Sequence, residues 1–193
     1  MHLVTRRANR KTLRWCRATP PDTFRVGLQE LQQAHPMPRR GRFQLQDQRV
    51  FFVTTTVKDH CPLFRSEWSL QALRRIIFTA VSRRRAKLYG YVLMPNHFHV
   101  LLHVPGGGPA LSKFMRDVKS LSARLIYPER HGIWMARFDD VAIYSDEQFR
   151  TKLNYIHQNP VKAGLSKIRE KYGYSSAREW ASGVSDGIVT VEI

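Results

Sequence analysis

The sequence predicts an α+β fold, an antiparallel sheet with helices packed on it in the manner of ferredoxin-like and RRM-like sandwiches. Two patterns and their order predict it. Apolar and β-branched residues crowd into short runs at 50–57, 88–94 and 97–104. Apolar residues recur at helical spacing at 70–81, 111–126 and 147–158. With a short strand at 141–144, the order is strand–helix–strand–strand–helix–strand–helix, which is the order of that sandwich.

Each element has its own signal. Residues 1–38 are Arg-rich, with Arg6, Arg7, Arg10, Lys11, Arg14 and Arg17, and are broken by Pro20-Pro21 and Pro36-Met37-Pro38. They read as a basic arm, partly disordered, with a short helix over 26–34. The folded domain is predicted over 39–182. Val50 to Val57 is aromatic and β-branched, hence a strand. Ser66 caps a helix whose buried stripe is Leu70, Leu73, Ile76, Ile77, Ala80 and Val81. That helix ends in Arg83-Arg84-Arg85, which complements the negative end of its dipole and offers cations to phosphate.

Leu88 to Met94 is the second strand, Pro95-Asn96 a turn, and His97 to Val104 the third strand. Gly106-Gly107-Gly108-Pro109 reads as a flexible break. The helix after it carries Leu111, Phe114, Met115, Val118, Leu121 and Leu125 on one stripe, with Lys113, Arg116, Lys119 and Arg124 around it. Val141 to Tyr144 is a short strand. Glu147 to Gln158 is a helix, predicted to stop at Asn159 because Pro160 follows. Residues 183–193 form a small, polar, then β-prone tail.

Composition narrows the partners. Lys and Arg outnumber Asp and Glu 32 to 15, a formal net charge of +17 over 193 residues. Such an excess calls for a polyanion, and nucleic acid is the reading adopted. No apolar run approaches the roughly 20 residues that cross a bilayer, so no membrane role is expected. Cys16 and Cys61 show neither a CxxC nor a zinc spacing. They predict no disulfide framework and suit a reducing cytosol. A cytoplasmic, nucleoid-associated protein is expected.

Two constellations can carry chemistry. In His97-Phe98-His99, residues two apart share a strand face, so both imidazoles project together while Phe98 enters the opposite layer. Side-by-side neutral imidazoles are a ready pair of metal ligands. The same pattern also suits two polar residues on a half-exposed strand. His103 shares the face but lies about 13 Å from His99 at strand rise, too far to join the pair. In Tyr155-Ile156-His157-Gln158-Asn159-Pro160, Tyr155 and Asn159 stand at i and i+4 on one helix face. A phenol and a carboxamide are thus presented side by side. From spacing alone, a core tyrosine with its hydroxyl satisfied and a helix-ending asparagine are the favoured reading.

Tyr91 to Leu102 and Tyr155 to Leu165 resemble the two signature blocks of the REP-associated tyrosine transposases, a group within the single-tyrosine HUH transposases. The similarity continues through Trp134, Arg137-Phe138-Asp139-Asp140 and Tyr174-Ser175-Ser176, and spans roughly 42–180. It does not reach residues 1–38. The resemblance implies that His97 and His99 are metal ligands, that Asn159 completes the set, and that Tyr155 is the nucleophile. It implies Mg²⁺ or Mn²⁺ as cofactor, with nitrogen ligands favouring Mn²⁺. It implies single-stranded DNA with hairpin structure as substrate. The reaction would be cleavage and strand transfer through a 5′-phosphotyrosine, and the state a monomer or a homodimer. Met135-Ala136 before Arg137 departs from the more polar residues common in relatives.

The candidate DNA-binding residues are Arg83, Arg84, Arg85, Lys113, Arg116, Lys119, Arg124, Arg137 and Lys162, with Trp134 or Tyr144 as possible stacking surfaces. Two other readings stand beside this one. A non-catalytic RRM-like nucleic-acid module would need none of these site residues. A metal-dependent hydrolase would need further His or acidic ligands, for which Asp139-Asp140 is the one supplement in sight.

Overall fold

The computed structural model of the chain describes residues 49–130, 132–185 and 187–191. The predicted arm over 1–38 lies outside the described residues. The elements run β1 (Val50–Thr56), α1 (Glu67–Arg83), β2 (Lys87–Leu93), β3 (His97–His103), α2 (Gly107–Ile126), β4 (Asp139–Ala142), α3 (Asp146–Lys162) and α4 (Ala177–Ser182). Four strands form one antiparallel sheet in the order β2-β3-β1-β4. This is the predicted α+β sandwich, with the predicted order of strands and long helices, one added short α-helix and two single 3-10 turns at Lys58–His60 and Arg169–Lys171.

Strand alternation divides the sheet into two apolar faces. Phe51 and Val53 of β1, Leu93 of β2, and Phe98, Val100 and Leu102 of β3 pack with the buried stripes of α1 and α2. On the other face, Phe52, Val92, Met94 and Leu101 pack with Phe149, Leu153 and Ile156 of α3. Both faces are covered, so the central strands are buried throughout, which is why they read as nearly continuous apolar runs.

Local signals explain the helix ends. Ser66 Oγ accepts from Ser69 N at 3.1 Å and starts α1 as predicted. Ser145 Oγ accepts from Gln148 N at 3.2 Å and starts α3. Three boundaries differ from prediction. Gly107 to Pro109 is not a break but the first turn of α2, entered through Gly106 at φ 89, with Pro109 where N–H groups lack helical partners anyway. The fourth strand is Asp139–Ala142, two residues earlier than predicted, because it takes its register from Phe51 to Thr54 of β1.

The third difference matters most for the site. Pro160 sits inside α3, which runs on to Lys162. A proline in the last turn removes one hydrogen bond, and the buried ring is retained in the packing. The true stop is Gly164 at φ 69. Leu165 N donates to Pro160 O and Gly164 N to Val161 O, the paired bonds of a Schellman ending. Asn159 therefore stays helical, one turn beyond Tyr155.

Two contacts seat α3 on the sheet. Gly90 lets the helix approach β2: a Cβ there would stand 2.7 Å from Leu153 Cδ1. His157, buried, places Nε2 2.9 Å from Ser176 Oγ, which accepts from Tyr91 N at 3.0 Å. Burial pushes the His157 imidazole down to about 4, with the Arg169 charge adding to the effect and Glu170 opposing it. A histidine held neutral stabilises the fold fully above its unfolded value near 6.5, and that stability is lost as pH falls toward 4. Urea melts at pH 7, 5.5 and 4 are expected to show a falling midpoint. The share from His157 approaches about 3 kcal/mol at pH 4. His157→Gln should flatten that slope by about one proton; an unchanged slope would exclude this source.

The remaining segments close the edges. Val189 bridges Leu88 in parallel and Thr190 N donates to Leu88 O at 2.7 Å, so the tail covers the free edge of β2. Cys61 is buried and disulfide-bonded, which corrects its reading as a reduced thiol; the other cysteine lies outside the described residues. Among the described residues no helix is long and apolar enough to cross a membrane.

Candidate active site

The site forms where β3, β1 and α3 meet. Register pairs His97 with Thr56 and His99 with Thr54 across β1. Both imidazoles lie on the α3 face, their ring centroids 4.8 Å apart. The apolar stripe of α3 docks on this face, which brings Tyr155 and Asn159 over the histidines. The Tyr155 ring stands edge-on to His99 at 5.3 Å, and Asn159 Nδ2 is 3.3 Å from His99 Nε2. Asn159 also hydrogen-bonds His97. The structure thus brings His97, His99, Tyr155 and Asn159 together within one chain.

Hydrogen bonds define both tautomers. His97 Nδ1 is 2.7 Å from Asn96 Oδ1, whose amide is oriented by Nδ2 donating to His60 O at 3.3 Å. A carboxamide oxygen only accepts, so His97 carries its proton on Nδ1. The Asn159 amide donates to His99 Nε2, so His99 carries its proton on Nδ1 and donates to Thr54 Oγ1 at 2.8 Å. His99 therefore turns its Nε2 lone pair toward Asn159. Burial pushes His97 down to about 4, with the Asn159 hydrogen bond opposing and the His60 charge assisting. Burial lowers His99 well below its ordinary value, with the His97 and Lys152 charges assisting. Both are neutral at neutral pH, the form that binds a metal.

The donor set fits a small divalent cation. Two imidazole nitrogens and a carboxamide converge, and turning the Asn159 amide over would present its oxygen. Among the described residues no group of three His, Cys, Asp or Glu converges on a common point.

Four participants were missed in the sequence. Asn96 read only as a turn residue, and Thr54 and Phe52 only as strand residues. Phe52 is buried, stacks on His99 at 5.3 Å and meets Tyr155 edge-on at 6.0 Å. Lys152 holds its Nζ 5.0 Å from the Phe52 ring centroid. Alternation along β1 places Phe52, Thr54 and Thr56 on one face, but only strand pairing shows that they face the histidines.

The cations named for DNA are divided by the sheet. Arg83, Arg84, Arg85, Lys113, Arg116, Lys119 and Arg124 belong to α1, its C-terminal turn and α2, across the sheet from His99. Arg84 is paired with Asp117, and Lys119 donates to the carbonyls of Met135 and Ala136. Arg137 is exposed in the stretch that joins the sheet where Met135 N donates to Thr56 O at 2.9 Å, at the His97 end. Lys162 is exposed on the last turn of α3. Trp134 is no stacking platform: it is buried, stacked on Phe64, and donates to Ser122 Oγ. Tyr144 is exposed, with the Arg49 guanidinium 4.8 Å above its ring.

Known proteins share this arrangement of elements. The chain is 26% identical over 160 residues to the REP-associated tyrosine transposase of Escherichia coli (strain K12), covering 78% of this chain and 94% of that one. A solved structure of a REP-associated tyrosine transposase bound to a REP hairpin superposes with a TM-score of 0.64 at 22% identity, covering 81% of this chain and 91% of that one. At that identity the likeness is one of fold. The family model for IS200-like transposases matches residues 47–159, a stretch that takes in β1 through Asn159. Because that match spans more than half of the sequence and includes every residue of the converged site, the chain belongs to the IS200-like transposase family.

Proposed function

We propose that this protein is a metal-dependent endonuclease and strand transferase acting on single-stranded DNA beside hairpins, with Tyr155 as nucleophile. The observation that carries the reading is the approach of Tyr155 and Asn159 to two neutral, tautomer-locked imidazoles on the same chain. In this reading Mg²⁺ or Mn²⁺ is held by His97, His99 and Asn159. When bound, it would act as a Lewis acid on the scissile phosphate. Three neutral ligands leave its positive charge undiminished toward the substrate. Asn96 and Thr54 hold the imidazoles in the ligating tautomer, as outer hydrogen-bond partners of metal sites commonly do.

Tyr155 Oη bonds to phosphorus and the P–O3′ bond breaks. The phenol proton leaves to water, and the departing 3′-oxygen takes one from water. One phosphodiester replaces another, so rejoining to a different 3′-OH needs no ATP. The hairpin substrate is supported by the REP hairpin in the related complex. Lys162, exposed on the last turn of α3, and Arg137, exposed at the His97 end of the sheet, suit the strand being cut, and the cations of α1 and α2 suit DNA passing the far face. Hairpin reading by the arm Arg6 to Arg17 belongs to the same proposal.

The test is a labelled hairpin oligonucleotide incubated with the protein and Mn²⁺, followed by denaturing electrophoresis. A denaturation-resistant protein–DNA adduct that EDTA prevents is expected. Binding without any adduct or cut would favour the non-catalytic module instead.

A further inference from the structure

We propose that Lys152 is a further catalytic residue of this site, a cation that seats the scissile phosphate beside Tyr155 and offsets charge on its non-bridging oxygens; this rests on the strand-transfer reading above. Lys152 precedes Tyr155 by three residues, so both side chains leave the same side of α3. Its Nζ lies 5.0 Å from the centroid of Phe52, the ring that also touches His99 at 5.3 Å and Tyr155 at 6.0 Å. The ammonium is therefore inside the cluster and not on the outer surface of the helix.

Other half-buried cations show why this one differs. Arg84 is neutralised by Asp117, and Lys119 donates to two backbone carbonyls. Lys152 has the Phe52 ring and no carboxylate among the described residues. A half-buried cation loses hydration without an ion pair to replace it, and an arriving phosphodiester would supply the missing anion. Lys152 keeps its protons throughout the step and donates N–H bonds to the phosphate. Bond making and breaking stay as described for Tyr155. The effect is electrostatic and is greatest when charge on the phosphoryl group peaks.

The experiment compares Lys152→Met and Lys152→Arg with the unsubstituted full chain, using the labelled hairpin oligonucleotide and Mn²⁺. At saturating protein, Lys152→Met is expected to slow adduct formation on the order of 100-fold. Lys152→Arg should recover most of that loss. Thermal melting should change little in either variant, and oligonucleotide affinity, read by fluorescence anisotropy, should fall far less than the adduct rate in Lys152→Met, because that rate is read at saturating protein. Equal adduct rates for Lys152→Met and the unsubstituted chain overturn the role of Lys152 and leave the strand-transfer reading intact. A loss shared equally by both variants, with a lowered melting temperature, also overturns it, because the side chain would then serve packing. No adduct from the unsubstituted chain sinks the strand-transfer reading itself and this inference with it.

Discussion

Tyr155→Phe is expected to abolish the covalent protein–DNA adduct, lowering its rate by more than about 1,000-fold while leaving hairpin affinity within about twofold. The phenol oxygen is the attacking atom in the proposed reaction, and phenylalanine keeps everything else. The ring would retain its edge contacts with His99 and Phe52. Loss of one half-buried hydroxyl should cost about 1 kcal/mol of stability or less, so a folded variant is expected. Adduct electrophoresis and anisotropy on the same preparation check the two halves of the prediction. The competing hydrolase would keep cutting, because water would be its nucleophile. Its ligand set is hard to find: no group of three His, Cys, Asp or Glu converges among the described residues. Asp139 pairs with Thr54 in the sheet and so shares the His99 face, but it sits beyond β1 from the imidazoles.

His99→Ala is the second substitution with a large expected effect. It removes a proposed ligand, leaves the Thr54 hydroxyl without its partner, and vacates space beneath Tyr155 and Phe52. Mn²⁺ affinity measured by calorimetry should fall by at least about 100-fold, and adduct formation should fall in step at limiting Mn²⁺. The buried cavity and the orphaned hydroxyl together should cost about 2–3 kcal/mol in urea melts. His97→Ala, which removes a less deeply buried side chain than His99, should match the metal effect with a smaller stability cost. Wild-type metal binding by both variants would remove the ion from these residues and with it the proposed Lewis acid.

The legible parts of this fold were those with local causes. Period-2 and period-3.6 apolar patterns located the strands and helices because each face must be buried by something. Ser66 marks a helix start, as expected, through one side-chain hydrogen bond. Pro160 predicts a stop at Asn159 that the structure does not make: left-handed Gly164 ends the helix and the proline does not. Gly107 to Pro109 similarly read as a break because glycine lacks helix preference, yet a first turn needs few intrahelical N–H bonds.

The candidate site divides along the same line. His97-Phe98-His99 and the Tyr155–Asn159 spacing are properties of one strand and one helix, and each side of the pair was visible alone. Asn96, Thr54, Phe52 and Lys152 were not, because their relevance exists only after β1 pairs with β3 and α3 crosses that face. Basic residues show the reverse case. Their number was plain, but the sheet puts α1 and α2 on one side and the histidines on the other, which composition cannot express.

By itself the sequence determined a basic α+β domain, its element order, and the residue types that could hold an ion and attack a phosphate. Tertiary structure alone decided that those groups meet, which tautomer each imidazole takes, and which cations share their face. The physical reason is range: propensity, alternation and capping act within a few residues, whereas an active site is an agreement between strands and helices tens of residues apart, enforced by burial of the apolar surfaces that carry it.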